Sequence, residues 1–596
     1  MSLNDTKRSA TRIRLLMPDI INILKPRRRL IATGVGLMMI NRTCALVLPA
    51  SMKYIVDDVI TRHNLAMLLP IAAAISLALG VQGASEFLFT RLLGRGGHRV
   101  IADLRCKVRA HIGRLPLTFY DNTQTGGLVA RIMNDVEGIR NLLAVALFDF
   151  IGSLLTTLLA VVILIEFSAG LALAAIALIV MQALWGSKLM SILRPIEFNR
   201  AEATGEVIGR LTESLSGIRV VKGYRAEERE EAVFRDGIER VVQTEFRSIG
   251  TLAVANAAQQ LLTGASAILV LFVGARQVLA GTLTVGELMT FTFLLALIVA
   301  PINQMGAIVN NMTEALTGIE RTRDVLKERT EDNDGRRRVA VSRARGEVTF
   351  EDVSFSFEKR ANVIRGVSFS AEPGTTTALV GPSGAGKSTI VSLIAGFHVP
   401  EKGIIRIDGL DLSTLTLDSY RRQLGLVFQD TFLFNGTIRD NVAFSRPDAS
   451  EAEIMAACRI AHVDEFAERF RDGYESIVGE KGIKLSGGQK QRISIARAIL
   501  ADPTILLFDE ATSSLDSQSE ALIQDGLRSL SDGRTTFIIA HRLSTVRRAD
   551  QILFVERGAI VERGTHESLL AMRGRYYEVC RNQYNIGLEL LDTRVG

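Results

Sequence analysis

Five nearly charge-free runs, at 65–85, 150–165, 167–187, 248–275 and 288–313, lie before Glu314 of this 596-residue chain, and none follows it. Most approach the roughly 20 residues that a helix needs to cross hydrocarbon. A chain so divided places its first half in a bilayer and its second half in water. Its length is too great for one core. The 47% apolar and 22% charged content excludes disorder and agrees with membrane insertion.

Lys25, Arg27, Arg28 and Arg29 precede a further apolar run, 30–52, which is too long for a signal peptide and is interrupted by Asn41 and Arg42. It reads as a retained first span. Six spans are expected, at about 30–52, 65–90, 142–165, 167–190, 250–275 and 286–312. Short connections alternate with long ones at 91–141 and 191–247. The first long connection carries nine Lys or Arg against four acids, which puts it, both termini and the second half on the cytoplasmic side. Both long connections are rich in Glu, Arg, Lys, Ala and Leu, so the spans should continue as helical stalks. The polar stretch 331–345 (EDNDGRRRVAVSRAR) reads as a solvated linker.

Residues 1–330 hold 36 basic against 27 acidic side chains, and residues 331–596 hold 34 against 37. The net charge of +6 therefore belongs to the membrane half, and no nucleic-acid partner is expected. Cys44, Cys106, Cys458 and Cys580 are widely spaced, which indicates neither a disulfide framework nor a zinc site.

Beyond Glu347, β-branched runs alternate with helical segments, predicting an α/β domain around a largely parallel sheet. The run TTTALV leads into Gly381-Pro382-Ser383-Gly384-Ala385-Gly386-Lys387-Ser388-Thr389, a complete phosphate loop between strand and helix. Glycines let backbone N–H groups approach a phosphate, and the helix adds the positive end of its dipole. In such a loop Lys387 would bridge the β- and γ-phosphates and Ser388 would face Mg²⁺. The apolar strand ILLF ends in Asp509-Glu510: one carboxylate for the metal and one to orient or deprotonate water, or simply a strand terminus. Leu485-Ser486-Gly487-Gly488-Gln489 opens a further helix, as a second anion-binding end or as an ordinary cap.

Taken in order, GPSGAGKST, Gln429 after an apolar strand, LSGGQKQR, ILLFDEATSSLD and His541 resemble the nucleotide-binding domain of ATP-binding cassette (ABC) transporters over about 346–585. FYDNTQTGGLVARIMNDVEGIR and LTESLSGIRVVKGYRAEEREEAVF resemble the two cytoplasmic coupling regions of that superfamily's exporters. The fold class implied is a six-helix, all-α transmembrane domain (1–330) with long cytoplasmic extensions, the linker 331–345, an α/β P-loop ATPase domain (346–585) and a tail (586–596). The resemblance implies that Phe357 stacks on adenine and that Gln429 senses Mg²⁺ and the attacking water. It further implies Glu510 as catalytic base, His541 on the γ-phosphate, and Asp516 in the loop communicating across a dimer. His541 would otherwise be a capping or core histidine. Leu485 to Gln489 of one chain would complete the site around Lys387 of another, so ATP and Mg²⁺ imply two chains. The intact residue types favour a homodimer over a heterodimer. One departure is Ile477, where some family exporters carry an acid.

The cargo is less legible. Arg42, about 18 Å into the first span at 1.5 Å per residue, is expected near the bilayer midplane. It would pair with Asp149 or Glu86, meet an anionic substrate group, or snorkel. Asn256, Gln259, Gln260, Asn303, Gln304, Asn310 and Asn311 would line a cavity or bond between helices. The resemblance implies an exporter or flippase of amphipathic lipids or drugs in a bacterial inner membrane, with Arg42 tipping the reading toward anionic heads. The alternative is a dedicated exporter of one peptide, glycan or siderophore-type substrate. An importer permease, a regulated channel and a peptide exporter with its own protease fit less well.

Overall fold

The computed structural model describes residues 18, 25–121, 123, 125–137, 147–331, 335–357, 362–428, 431–479, 482–509, 517–540 and 543–584. Contacts divide the chain into two units: Met1–Ile112 with Thr125–Lys327, and Gly113–Gln124 with Glu328–Gly596. In this division the segment 113–124 groups with the second unit. One tie is visible there, the Glu331 N–H donating to the Arg114 carbonyl at 2.9 Å.

The first unit is helical: α1 (Arg28–Tyr54), α2 (Leu68–Ile112), α3 (Leu147–Phe167), α4 (Ala169–Ser216), α5 (Glu227–Leu279) and α6 (Val285–Lys327). Five helices are long and apolar enough to cross a membrane, and Val285–Val299 is a shorter apolar stretch among the described residues. In those five, at most 28% of the most apolar window is buried within the chain, so much of the apolar surface faces outward. The 53 residues of α5 span about 80 Å at 1.5 Å each, far beyond a hydrocarbon layer of about 30 Å. The expected stalks are therefore continuous with the apolar helices. Between α4 and α5 the stalk is held by Arg200–Glu245 at 3.1 Å and Arg210–Glu230 at 2.7 Å, and by Gly237 seated against Val207. The apolar core joins Leu46, Ala160, Leu171, Ala175, Val270 and Leu294, small and large side chains alternating so that the helices approach closely.

In the second unit, β1 (Val348–Phe355), β2 (Ile364–Ala371), β4 (Lys402–Ile407) and β5 (Leu410–Asp411) form an antiparallel sheet in the order β2-β1-β4-β5. β3 (Thr376–Val380), β6 (Leu424–Val427), β7 (Ile505–Asp509), β8 (Thr535–Ile539), β9 (Gln551–Glu556) and β10 (Ala559–Gly564) form the second, ordered β10-β9-β3-β8-β7-β6. All its pairings are parallel except β10 with β9. The largely parallel sheet was predicted; the separate antiparallel sheet was not. The distinction lies in burial. β3 and β7 are covered on both faces, and β7 reads as an unbroken apolar run from Ile505 to Phe508, whereas β1 alternates because one face meets solvent.

Helix α7 (Lys387–Ile394) packs Ile390 and Leu393 into the core shared by both sheets, beside Phe350, Phe369, Leu379 and Phe537. The other face of the parallel sheet, through Val427, Leu506 and Phe508, packs on α8 (Glu451–Ile460), α9 (Gly487–Ala501) and α10 (Ser517–Ser531).

The described part of the supposed linker, 335–345, is a strap. Its Arg338 and Val339 N–H groups donate to the Thr414 carbonyl at 2.8 and 3.0 Å, and Arg337 reaches the carbonyls of Leu412 and Leu415. Just before it, Glu331 receives a two-pronged bond from Arg421 at 2.7 and 3.1 Å. Most side chains of 335–345 are exposed to solvent, while these backbone and guanidinium groups dock on the second unit.

Candidate functional site

The join of β3 to α7 makes the phosphate loop. Gly381, Gly384 and Gly386 have φ of +150°, +77° and +105°. A Cβ at Gly381 would lie 2.0 Å from the Val555 carbonyl oxygen, and one at Gly386 would lie 2.7 Å from the Ile364 side chain. Conformation therefore demands glycine at these positions, and at Gly381 space does as well. The Gly558 N–H donates to the Ala385 carbonyl at 3.0 Å, and the Arg365 N–H to that of Gly558 at 2.8 Å, bracing the loop against the β9–β10 turn.

Lys387 opens α7 and is 6% exposed, its Nζ donating to the carbonyls of Gly381 and Pro382 at 2.8 and 2.9 Å. Burial pulls its pKa below the usual lysine value, and the Asp509 carboxylate opposes that shift. Ala385 and Thr389 are buried, while Pro382, Ser383, Gly384 and Ser388 face outward. A cradle closed to side chains, a helix N-terminus and a buried cation fit a polyphosphate.

The parallel order β3-β8-β7-β6 sets four C-terminal strand ends side by side. The phosphate loop, the segment of His541, the segment of Glu510 and the segment of Gln429 leave from those ends, the ligand-binding edge of an open parallel sheet. Asp509, the last residue of β7, pairs with Ile539 of β8. Gln429, Glu510, Asp516 and His541 themselves lie outside the described residues.

Ser486 caps α9. Its hydroxyl accepts the Gln489 N–H at 3.3 Å, and the Gln489 side chain accepts the Ser486 N–H at 2.9 Å. The capping reading of this motif is thus present in the single chain. Leu485 and Gly488 are buried, whereas Ser486 and Gly487 are exposed. Phe357 is 40% exposed, with its ring 5.0 Å from Phe355 and 5.4 Å from His398. Ile477 is exposed.

In the helical unit, Arg42 has its Nε 2.9 Å from where a Gly152 Cβ would stand, and Asp149 feels both Arg42 and Glu86. Asn41 donates to Glu86 at 3.1 Å and to the Gln82 carbonyl at 3.3 Å. One guanidinium and two carboxylates from α1, α2 and α3 therefore share a level. Helical backbone continues past α1 through Ile55–Thr61, so the cluster stands about 27 Å from the short-loop ends of its helices.

Asn256 and Gln260 are exposed, whereas the buried Gln259 amide nitrogen has no partner among the described residues. Asn303, Gln304, Asn310 and Asn311 lie on α6, with side chains outside the described residues. Gln182 was missed by sequence reasoning. It is 1% exposed and donates to Ser266 across α4 and α5 at 3.2 Å. Its one signal was a lone amide in an apolar run. The half-exposed aromatic ladder of Phe432, Phe434 and Phe444, with Arg497 over Phe444, was also missed.

Two family models match in tandem: the ABC transporter transmembrane region over residues 31–302 and ABC transporter over residues 364–513. A Bacillus subtilis protein named a putative multidrug export ATP-binding/permease protein, YgaD, is 35% identical over 568 residues, 94% of this chain and 98% of the relative. The chain belongs to the ABC transporter family. An ATP-dependent lipid A-core flippase of Syntrophus aciditrophicus is 34% identical, over 95% of this chain and 94% of its own length. The structure of a bacterial Atm1-family ABC exporter with ATP bound matches at TM-score 0.83 and 32% identity, over 93% of this chain and 98% of that one. With membrane region and nucleotide-binding domain fused, this ABC transporter is a membrane protein whose ATPase is coupled to transport.

Proposed function

We propose that the chain is half of a homodimeric exporter that moves amphipathic molecules across a bacterial inner membrane by alternating access. The carrying observation is the buried Lys387 in a loop that admits only glycine at 381 and 386, on the same chain as an outwardly apolar helical unit. Lys387 binds the β- and γ-phosphates, and Phe357 receives the base. Leu485 to Gln489 and Asp516 of the second chain close over them. Glu510 holds the attacking water and takes its proton, while His541 donates to the γ-phosphate. Ser388, Gln429 and Asp509 would hold Mg²⁺, which when bound neutralises charge on the phosphates.

ATP held between two such units draws them together. The stalk helices carry that closure to the spans, and hydrolysis reverses it, provided ATP and cargo prefer different members of one conformational pair. Amphipathic cargo is supported by relatives named for multidrug export and for lipid A-core flipping. The ground for anionic heads weakens, because Asp149 already lies within electrostatic reach of Arg42.

The test is ATP hydrolysis by the purified chain in lipid nanodiscs, with Glu510→Gln as control, titrated with anionic lipids and with cationic amphipathic drugs. Glu510-dependent turnover by the lone chain, stimulated by either panel, supports the proposal. Turnover that appears only after adding a different half-transporter rejects the homodimer, and turnover indifferent to every amphiphile rejects the cargo class.

A further inference from the structure

His398 follows α7 by four residues and is 6% exposed, and among the described residues its buried Nδ1 has no hydrogen-bond partner. Its ring lies 5.2 Å from Phe355, tilted by 37°, and 5.4 Å from Phe357, nearly perpendicular at 87°. Phe355 and Phe357 meet edge-on at 5.0 Å. The inner side of Phe357 is thus fixed by two rings, of which one can take a proton.

A neutral imidazole serves as an aromatic wall, since edge-to-face packing suits it. An imidazolium in the same place is a buried cation and must find an anion or water. The charged groups around it come from four elements. Asp121 ends the short helix Leu117–Asp121 and attracts a proton on the ring. Arg336 and Arg337 of the strap, Glu401 of the following loop and Asp411 of β5 line, with His398, a cavity of about 250 Å³. Glu401 accepts the Ser356 hydroxyl at 2.6 Å, and Asp411 accepts the Ser413 N–H at 2.8 Å. Both carboxylates are already engaged, and the two arginines oppose a further cation. Asp121 is therefore the carboxylate toward which a charged His398 is drawn.

We propose that His398 is a positioning residue for nucleotide binding: neutral, it braces Phe357 to receive the base, and protonated, it leaves Phe357 for Asp121, so that ATP affinity falls on acidification. The inference rests on reading Phe357 as the base platform. Burial holds the imidazole below its ordinary pKa, with Asp121 pulling the other way. A lowered pKa keeps the brace intact above that value and loses it below, so the change falls on the acid side of about pH 6.5.

The experiment measures KM for ATP and kcat of the full-length protein in nanodiscs from about pH 7.5 to about pH 5.5. It compares the unaltered chain with His398→Phe, His398→Tyr and Phe357→Ala. The expected result is a KM rising about three- to tenfold on acidification of the unaltered chain, with kcat following the same pH course in the two His398 variants. In both aromatic variants KM stays flat, and either suffices should the other fail to fold. Phe357→Ala should raise KM already at the alkaline end. If it does so while His398→Phe or His398→Tyr keeps the unaltered KM profile, the role of His398 is rejected and the platform stands. If Phe357→Ala leaves KM unchanged, the platform reading is rejected and the inference falls with it.

Discussion

The two units of this chain solve burial in opposite senses. In the nucleotide-binding unit, Phe350, Phe508 and Phe537 fill an interior, and charge is turned outward or engaged, as in Arg421 with Glu331. In the helical unit, Leu69, Leu77, Leu173, Leu261 and Phe272 stand exposed on the chain's surface, while Gln182, Ser266 and Thr290 are buried. A bilayer removes the reward for hiding apolar side chains and raises the cost of exposing polar ones. One sequence thus obeys two solvents, and the change of texture near residue 330 marks where one replaces the other.

That contrast predicts separable failures. The largest effect is expected from Lys387→Ala, which should lower ATP hydrolysis by about a hundredfold or more, because the buried cation proposed to bind the β- and γ-phosphates is lost from the loop. Its helical content and detergent melting should stay close to those of the unaltered chain. A collapse of the helical unit in circular dichroism would break the comparison.

An intermediate effect is expected at the junction of α1 and α6. Asp57 accepts the Gly286 N–H at 2.9 Å and the Thr284 hydroxyl, and Lys53 meets Glu287 at 2.9 Å. Asp57→Ala should cost about 1–2 kcal/mol through the loss of a helix-end cap. A lower thermal midpoint in nanodiscs, with ATP affinity unchanged, would sharpen the division between units. A midpoint equal to that of the unaltered chain would show that the cap contributes nothing.

The smallest effect concerns thiols. Cys106 is exposed on α2, whereas Cys458 and Cys580 are buried. Burial and nearby carboxylates push the Cys458 thiol up to about 12. Maleimide labelling followed by mass spectrometry should therefore modify Cys106 first, near pH 7.5, by about tenfold or more in rate. Equal rates would mean that the nucleotide-binding core opens readily.

The phosphate loop was legible because its chemistry fixes residue types at fixed spacing. No other residue serves at Gly381, where a Cβ would collide with the Val555 carbonyl. The apolar helices were legible by length and composition alone. The antiparallel sheet was harder to read, since β1, β2 and β4 are half-exposed strands that pair apart from the main sheet. The docking of the strap was not legible for a related reason: the partners of Arg337 and Val339 lie at Leu412 to Leu415, over 70 residues away.

By itself the sequence determined the solvent of each half, the site of the phosphate loop and the family to which both halves belong, because periodicity, charge and local spacing are properties of contiguous residues. Only the tertiary structure decided that Arg42 shares its level with Glu86 and Asp149, that Gln182 meets Ser266, and that His398 stands behind Phe357. Each of these depends on how helices and strands far apart in the chain are set against one another, and no local pattern encodes that placement.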